Sequence, residues 1–188
     1  MKKIKIIALY GKSGSGKDTI QKWIVDNYPG INGIVSTTTR PPRDYEIDKI
    51  DYNFIKENEF NLKITNGDMI EYTVFNDWYY GTSFSSLKKD KINIGVFNLA
   101  GVKTLMENDK IDVLPIEIQA SDRMILKRAM EREKNPDYKE ICRRFLTDEE
   151  DFKNIHSKII YSNNVNNRQN FHTIFNLVSV KEWINKDN

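Results

Sequence analysis

Short apolar runs rich in β-branched residues alternate along this chain with segments whose apolar positions recur at helical spacing. Such runs predict strands buried on both faces, and the spaced segments predict helices packed against them. Ile4 to Tyr10 is the first strand of this kind. The glycine and serine loop Gly11 to Gly16 follows, and Asp18 to Tyr28 then carries a stripe of Ile20, Trp23, Ile24 and Tyr28 that Pro29-Gly30 ends. Ile34 to Thr39 predicts a second strand, stopped where Pro41 and Pro42 cannot continue a ladder. Ile94 to Leu99 and Val113 to Ile118 predict buried strands, with a helix from Val102 to Asn108 between them. Ser121-Asp122 caps a helix from Arg123 to about Glu133, and Asn135-Pro136-Asp137 breaks it. A charged helix from about Lys139 to Asn154, a short strand from Lys158 to Tyr161, a polar loop from Ser162 to Gln169 and a helix from Asn170 to Asn185 complete the pattern.

Between Asp51 and Thr82 the rhythm changes. Tyr52 to Ile55, Met69 to Phe75 and Trp78 to Tyr80 read as short strands, Glu57 to Asn66 as a short helix, and Asn76-Asp77 as a hairpin turn. Phe84 to Lys91 reads as another helix. The whole predicts an α/β chain with a small mixed sheet inserted into it.

Composition narrows the picture. A chain of 188 residues supports one substantial core. Lys plus Arg is 29 and Asp plus Glu 27, a formal net charge of +2, which argues for neither a nucleic-acid nor a membrane partner. The start of the chain has no signal-peptide core, and no stretch reaches the length of a membrane span, so a cytoplasmic protein is expected. A lone cysteine, Cys142, forms no internal disulfide and reads as a small core filler between Ile141 and Arg143.

The loop after the first strand carries the strongest chemistry. Gly11-Lys12-Ser13-Gly14-Ser15-Gly16-Lys17 fits the phosphate-binding loop in the required place, after a strand and before a helix. Its glycines let backbone N–H groups turn inward around phosphate oxygens, the helix N-terminus adds partial positive charge, and Lys17 supplies a full charge for the β and γ phosphates. An ATP site with Mg²⁺ as cofactor is expected. The residue after the lysine, usually Ser or Thr, is here Asp18, followed by Thr19. A carboxylate is a hard oxygen ligand that can serve Mg²⁺.

An acceptor site needs its own cations. Ser36-Thr37-Thr38-Thr39-Arg40-Pro41-Pro42-Arg43 offers hydroxyls and two guanidiniums, whose forks match phosphate oxygens, on a backbone stiffened by proline. Tyr52, Glu71, Tyr79, Tyr80 and Thr82 follow. A pocketed carboxylate accepts two hydrogen bonds from the N1–H and N2 amine edge of guanine, a pair adenine cannot donate. On the predicted helices, Arg128 and Arg132 are four apart and share a side, whereas Lys127 points elsewhere. Arg143-Arg144 form a separate cluster.

Together these residues resemble the guanylate kinase family. The segments Ser36-x-Thr38-Thr39-Arg40-x-Pro42-Arg43, Glu46, Asp51-Tyr52-x-Phe54, Ile70-Glu71-Tyr72 and Tyr79-Tyr80-Gly81-Thr82 follow its signature in order and spacing. The resemblance runs from about Ile6 to about Phe145. It implies a parallel five-stranded P-loop core with helices on both faces, an inserted mixed arm that binds the nucleoside monophosphate, and a helical lid. The implied divisions are core 1–35, arm 36–89, core 90–125, lid 126–154 and core 155–188. It implies that Ser36, Arg40, Arg43, Tyr52 and Tyr80 hold the GMP phosphate, that Glu71 and Thr82 read guanine, and that Arg40 also lies near the transferred group. Arg128, Arg132 and Arg144 would grip ATP phosphates, with Arg132 also near adenine. Lys17, Arg40, Arg128 and Arg144 are the expected catalytic residues. The implied reaction moves the ATP γ-phosphoryl group to GMP or dGMP, in a monomer or homodimer.

The chain also departs from the pattern. Val96, Asn98 and Ala100 stand where the family carries two aspartates and a glutamine, and Ser162-Asn163-Asn164 where it carries an Asn-Asp pair. The second of those aspartates belongs to the guanine and metal environment, so Asn98 is placed in the GMP site without its charge. That leaves room for a deoxynucleotide kinase of wider base tolerance. The Gly-Lys-Asp form of the loop also resembles ribose 1,5-bisphosphate kinases, which should not need Glu71 or Tyr79-Tyr80-Gly81-Thr82. A non-catalytic protein-binding module of the same fold would generally have lost the loop.

Overall fold

The computed structural model describes residues 3–75, 77–132, 135–155, 157, 160–162, 174 and 178–185. The expected loop 163–169, the first part of the closing helix and Glu133 lie outside these residues, as do Asn76, Lys158 and the Asn163-Asn164 pair.

Five strands form a wholly parallel sheet: β1 (Ile4–Tyr10), β2 (Ile31–Gly33), β7 (Ile92–Val96), β8 (Ile111–Gln119) and β9 (Ile160–Ser162), in spatial order β2-β7-β1-β8-β9. Alternation along β1 divides the core. Ile7 and Leu9 face Ile20 and Ile24 of helix α1 (Lys17–Asn27) and Val180 of the closing helix α6 (Val178–Asn185). Ile6, Ala8 and Tyr10 face Val102 and Leu105 of helix α3 (Leu99–Glu107). Both faces are covered, and Ile6, Ile7, Leu9, Ile20, Ile24 and Leu105 are fully buried, each worth about 1.5–3 kcal/mol relative to exposure.

A second, mixed sheet has the order β4-β3-β6-β5, from β3 (Thr37–Thr38), β4 (Asn53–Phe54), β5 (Met69–Phe75) and β6 (Trp78–Ser83). Helix α2 (Glu57–Thr65) packs Phe60 against the rings of Tyr72 and Tyr79 on this sheet. Helices α4 (Asp122–Glu131) and α5 (Tyr138–Phe152) follow β8.

Three expectations need correction. The predicted strand Ile34 to Thr39 shrinks to Thr37–Thr38, which belongs to the other sheet; the core strand lies just before it, at Ile31–Gly33 paired with β7, and Ile34 N–H still donates to Ile94. Phe84 to Lys91 is no α-helix but a single 3-10 turn at Phe84–Ser86. There Ser86 Oγ donates to the Ser83 carbonyl, and the buried Asn93 amide takes both the N–H and the C=O of Lys88. These side chains satisfy backbone groups that a helix would have used. Cys142 is exposed rather than core, because α5 turns its half-buried Ile141 and Phe145 inward and the residue beside Ile141 outward.

Candidate active site

The end of β1 delivers the chain into Gly11. Its φ is +141°, and a Cβ there would stand 2.2 Å from the Ile118 carbonyl oxygen on β8, so only glycine lets loop and sheet approach. Gly16 takes the left-handed position that opens α1. Lys17 Nζ folds back and donates to the carbonyls of Gly11 and Lys12, 2.9 Å each. Desolvation lowers its pKa, opposed by the charges of Asp18 and Asp148. Arg128 Nη1 donates to the Gly14 and Ser15 carbonyls at 3.3 and 3.2 Å. Two α5 carboxylates reach the same loop: Ser13 N–H donates to Asp148 Oδ2, and Lys12 Nζ pairs with Glu149.

Asp18 and Thr19 are exposed on the first turn of α1 and line a cleft of about 730 Å³ together with Ser13, Gly14, Gly16, Lys17, Arg43, Tyr52, Arg128 and Arg132. Mg²⁺ at nucleotide sites is usually held by one or two carboxylates, with phosphate oxygens and water in the other positions. Among the described residues no three acidic, His or Cys side chains cluster into a metal cage. Asp18, next to Lys17 on the cleft wall, fits a metal that arrives with a phosphate chain.

The mixed sheet and the loop after β3 supply the opposite wall. Arg40 and Arg43 converge on one carboxylate, Glu46, at 2.8 and 3.6 Å, and Glu46 also accepts from the Arg43 N–H at 2.8 Å. Burial works to raise the Glu46 pKa, but that N–H and the two guanidiniums outweigh it, and the group is held below its ordinary value. Arg40 lies over the rings of Tyr52 and Phe54, and Tyr52 meets Tyr80 edge to face. Burial, with Asp18 next in effect, pushes the Tyr52 hydroxyl up to about 12, so it stays protonated as a donor. Ser36 is half-buried just before β3, where its carbonyl accepts from Asn53 N–H at 2.8 Å.

Tyr80 and Thr82 are two apart on β6 and so share a face. Thr82 is the register partner of Glu71 on β5. Glu71 is 8% exposed, and a Cβ on Gly101 at the start of α3 would stand 3.0 Å from Glu71 Oε2 and 3.2 Å from Asn98 Oδ1. Burial raises the Glu71 pKa. Thr82 Oγ1 makes no hydrogen bond of full geometry, yet lies near enough to Glu71 to oppose the rise. Asn98 is exposed and caps α3, its Oδ1 accepting from Gly101 N–H at 2.7 Å. Glu71, Thr82 and Asn98 thus form one group, set apart from the residues lining the loop cleft.

Further arginines stand beside the cleft. Arg43, Arg132 and Arg144 line an adjoining cavity of about 220 Å³ between α4 and α5. Arg132 Nε and Arg43 Nη1 each donate to Tyr45 Oη at 3.3 Å. Arg144 Nε donates to Glu140 at 2.6 Å, and Arg143 and Arg144 stack on Phe75 at the end of β5, 5.0 and 5.6 Å from its ring centre. Among the described residues, Lys127 pairs with Glu131 on the exposed side of α4. Sequence reasoning missed Glu46 as the anchor of both arginines, Tyr45 as their bridge, and Asp148 and Glu149 on the loop. The quoted signature contained Glu46; nothing in local spacing pointed to the others.

The family model described as guanylate kinase matches residues 3–174. The guanylate kinase of Helicobacter pylori is 36% identical over 107 residues, covering 55% of this chain and 52% of that protein, so the chain spans about half the length of this relative. The guanylate kinase of Malacoplasma penetrans is 34% identical over 124 residues, covering 65% and 56%. In fold, the chain is similar to the crystal structure of guanylate kinase from Anaplasma phagocytophilum, with a TM-score of 0.67 at 21% identity over 96% of this chain and 87% of that one. A P-loop on a parallel sheet, a mixed sheet carrying paired arginines opposite it, and a family match through most of the sequence agree: the chain belongs to the guanylate kinase family.

Proposed function

We propose that this chain transfers the ATP γ-phosphoryl group to the phosphate of GMP or dGMP, giving ADP and GDP or dGDP. The observation that carries the reading is the cleft that sets Lys17, Asp18, Arg128 and Arg132 on one side against Arg43 and Tyr52 on the other. Two cationic walls facing each other suit two phosphate groups brought end to end. The divisions at 36–89 and 126–154 then serve as monophosphate arm and lid.

The acceptor phosphate is already anionic, so no general base is required. Catalysis rests on alignment and on charge spread over the transferred group. Lys17 and the loop N–H groups bind the donor phosphates. Arg40 and Arg43, prepositioned by Glu46, take the acceptor phosphate, with Ser36, Tyr52 and Tyr80 as neutral donors. Arg128, Arg132 and Arg144 neutralise the donor side and exclude water as the lid closes. Mg²⁺ bound with ATP would be held by Asp18 and would supply further neutralisation of phosphate charge. Glu71 and Thr82 read the guanine edge, and Asn98 lies beside them. We further propose a cytoplasmic protein, monomeric or homodimeric, with small-molecule substrates and no nucleic-acid or membrane partner; no helix among the described residues is long and apolar enough to cross a membrane.

A coupled ADP-release assay across GMP, dGMP, AMP, dTMP and ribose bisphosphate tests the reading. Turnover with GMP or dGMP alone supports it. Turnover spread over several bases would favour the wider nucleotide kinase that Asn98 allows, since its Oδ1 is engaged in capping α3. Lys17→Met and Arg40→Met should each lower kcat by at least about 10²-fold with the fold intact. Near-normal turnover of either purified variant would refute the assignment.

A further inference from the structure

Helix α5 grips the phosphate loop with two adjacent carboxylates. Asp148 Oδ2 accepts from Ser13 N–H, and Glu149 pairs with Lys12 Nζ. Asp122, at the start of α4, lies 3.5 Å from the same ammonium, and the Phe145 ring sits beneath it, 5.9 Å from ring centre to Nζ. The α5 helix therefore holds the loop by its backbone and by its side chain. Ser13 N–H is one of the amides between Gly11 and Gly16 that a phosphate chain would need. A carboxylate and a phosphate cannot share one donor, because both are anionic and would stand within about 4 Å of each other in a partly dry cleft. Burial, the largest effect on Asp148, raises its pKa, as a desolvated anion requires; Ser13 N–H and Lys17 oppose the rise.

We propose that Asp148 and Glu149 form an internal competitor for the donor nucleotide, whose phosphates gain Ser13 N–H and Lys12 only by displacing the α5 carboxylates. This rests on reading Gly11 to Lys17 as the triphosphate site. Donor binding is thereby coupled to a shift of α5, the helix that also carries Arg144. An unopposed loop would hold phosphate tightly. This loop trades affinity for a lid that has to move when the donor arrives.

The test titrates inorganic tripolyphosphate, which has no base, and Mg·ADP into the full chain by calorimetry. Asp148→Ala should tighten tripolyphosphate binding by about tenfold, which is about 1.4 kcal/mol. Asp148→Asn, which keeps an acceptor but loses the charge, should give part of that gain, as should Glu149→Gln, and Mg·ADP should follow the same order. Hydrogen exchange of the α5 amides should quicken when tripolyphosphate is added to the wild type, and not in Asp148→Ala. If wild type binds and both folded Asp148 variants bind no tighter, the proposal is overturned. Lys17→Met separates the two levels. Equal tripolyphosphate binding by wild type and Lys17→Met would remove the loop as the phosphate site, and the inference with it.

Discussion

Glu71 is a carboxylate that the fold keeps dry and only partly compensates. Its pKa is raised by burial, so its protonated form favours the folded state; that contribution is fully present below the ordinary glutamate value and is lost as pH rises through the raised one. Guanine needs the other form, since N1–H and the N2 amine donate to an ionised carboxylate. GMP binding should therefore release a proton in the window between the ordinary and the raised value. On acidification, KM for GMP should begin to climb at a higher pH than an ordinary glutamate would allow, while KM for ATP stays flat. Parallel pH profiles for both substrates would count against Glu71 as the base reader. Crowding gives a second handle on the same group. Gly101→Ala would place a Cβ 3.0 Å from Glu71 Oε2. It should raise KM for GMP about tenfold, the scale of one disturbed charged hydrogen bond, with KM for ATP near wild type in steady-state kinetics.

At the scale of elements, α5 depends on its first turn. Asp137 caps it, accepting from Glu140 N–H, and Glu140 is then gripped by Arg143 and Arg144. The Arg143 hydrogen bond is the largest cause that holds Glu140 down at about 2, against an ordinary 4.5. A depressed carboxylate stabilises the fold above its unfolded pKa and loses that contribution as pH falls through the folded one. The α5 amides should thus lose protection, measured against their intrinsic exchange rate at each pH, as pH drops from about 4.5 toward about 2, while β1 and β8 amides keep theirs. Exchange by mass spectrometry at stepped pH checks this, and an α5 rate that does not depart from the sheet's would contradict it. The same scale shows what a sequence can carry. The run from β1 through Gly16 into α1 was legible because its signals are local: β-branched residues, glycines, then a spaced apolar stripe. The strand Ile31–Gly33 was not, because Pro29-Gly30 and Asn32-Gly33 are turn signals, and this segment is a strand only through pairing with β7. The expected helix after Phe84 failed because Asn93, only five residues beyond Lys88 but buried in strand β7, captures the Lys88 backbone, and that burial is set by the sheet rather than by local spacing. Within the site, the fold brings the signature residues Arg40 and Arg43 together on Glu46 and sets Glu71 opposite Thr82. Asp148 and Glu149 meet the loop from 135 and 137 residues away, a juxtaposition that only the folded chain displays.

At the scale of the molecule, the proposed reaction would need the mixed sheet and the α4–α5 helices to close over the P-loop together. Two small contacts join these parts across the cleft. Tyr45 Oη receives Arg43 from its own side and Arg132 from the helices, each at 3.3 Å. Phe75, at the end of β5, lies under Arg143 and Arg144. Neither contact belongs to the hydrophobic clusters that hold the parallel sheet, so losing one should change closure without unfolding the chain. Arginine stacked on an exposed ring is worth about 0.5–1 kcal/mol, or roughly 2- to 5-fold in the population of the closed form. Phe75→Ala should therefore lower kcat by about that factor and move Tm by less than about 2 °C. Phe75→Leu keeps apolar volume but has no ring quadrupole, and should behave like the alanine variant if the stacking matters. Phe75→Tyr should behave like wild type. Stopped-flow product formation at saturating ATP and GMP, alongside melting curves, gives both readouts. Should leucine restore full kcat, the contact is apolar packing and the arginines are held by Glu140 alone. Should alanine lower Tm by many degrees with kcat unchanged, Phe75 supports the sheet and takes no part in bringing Arg144 to the phosphates.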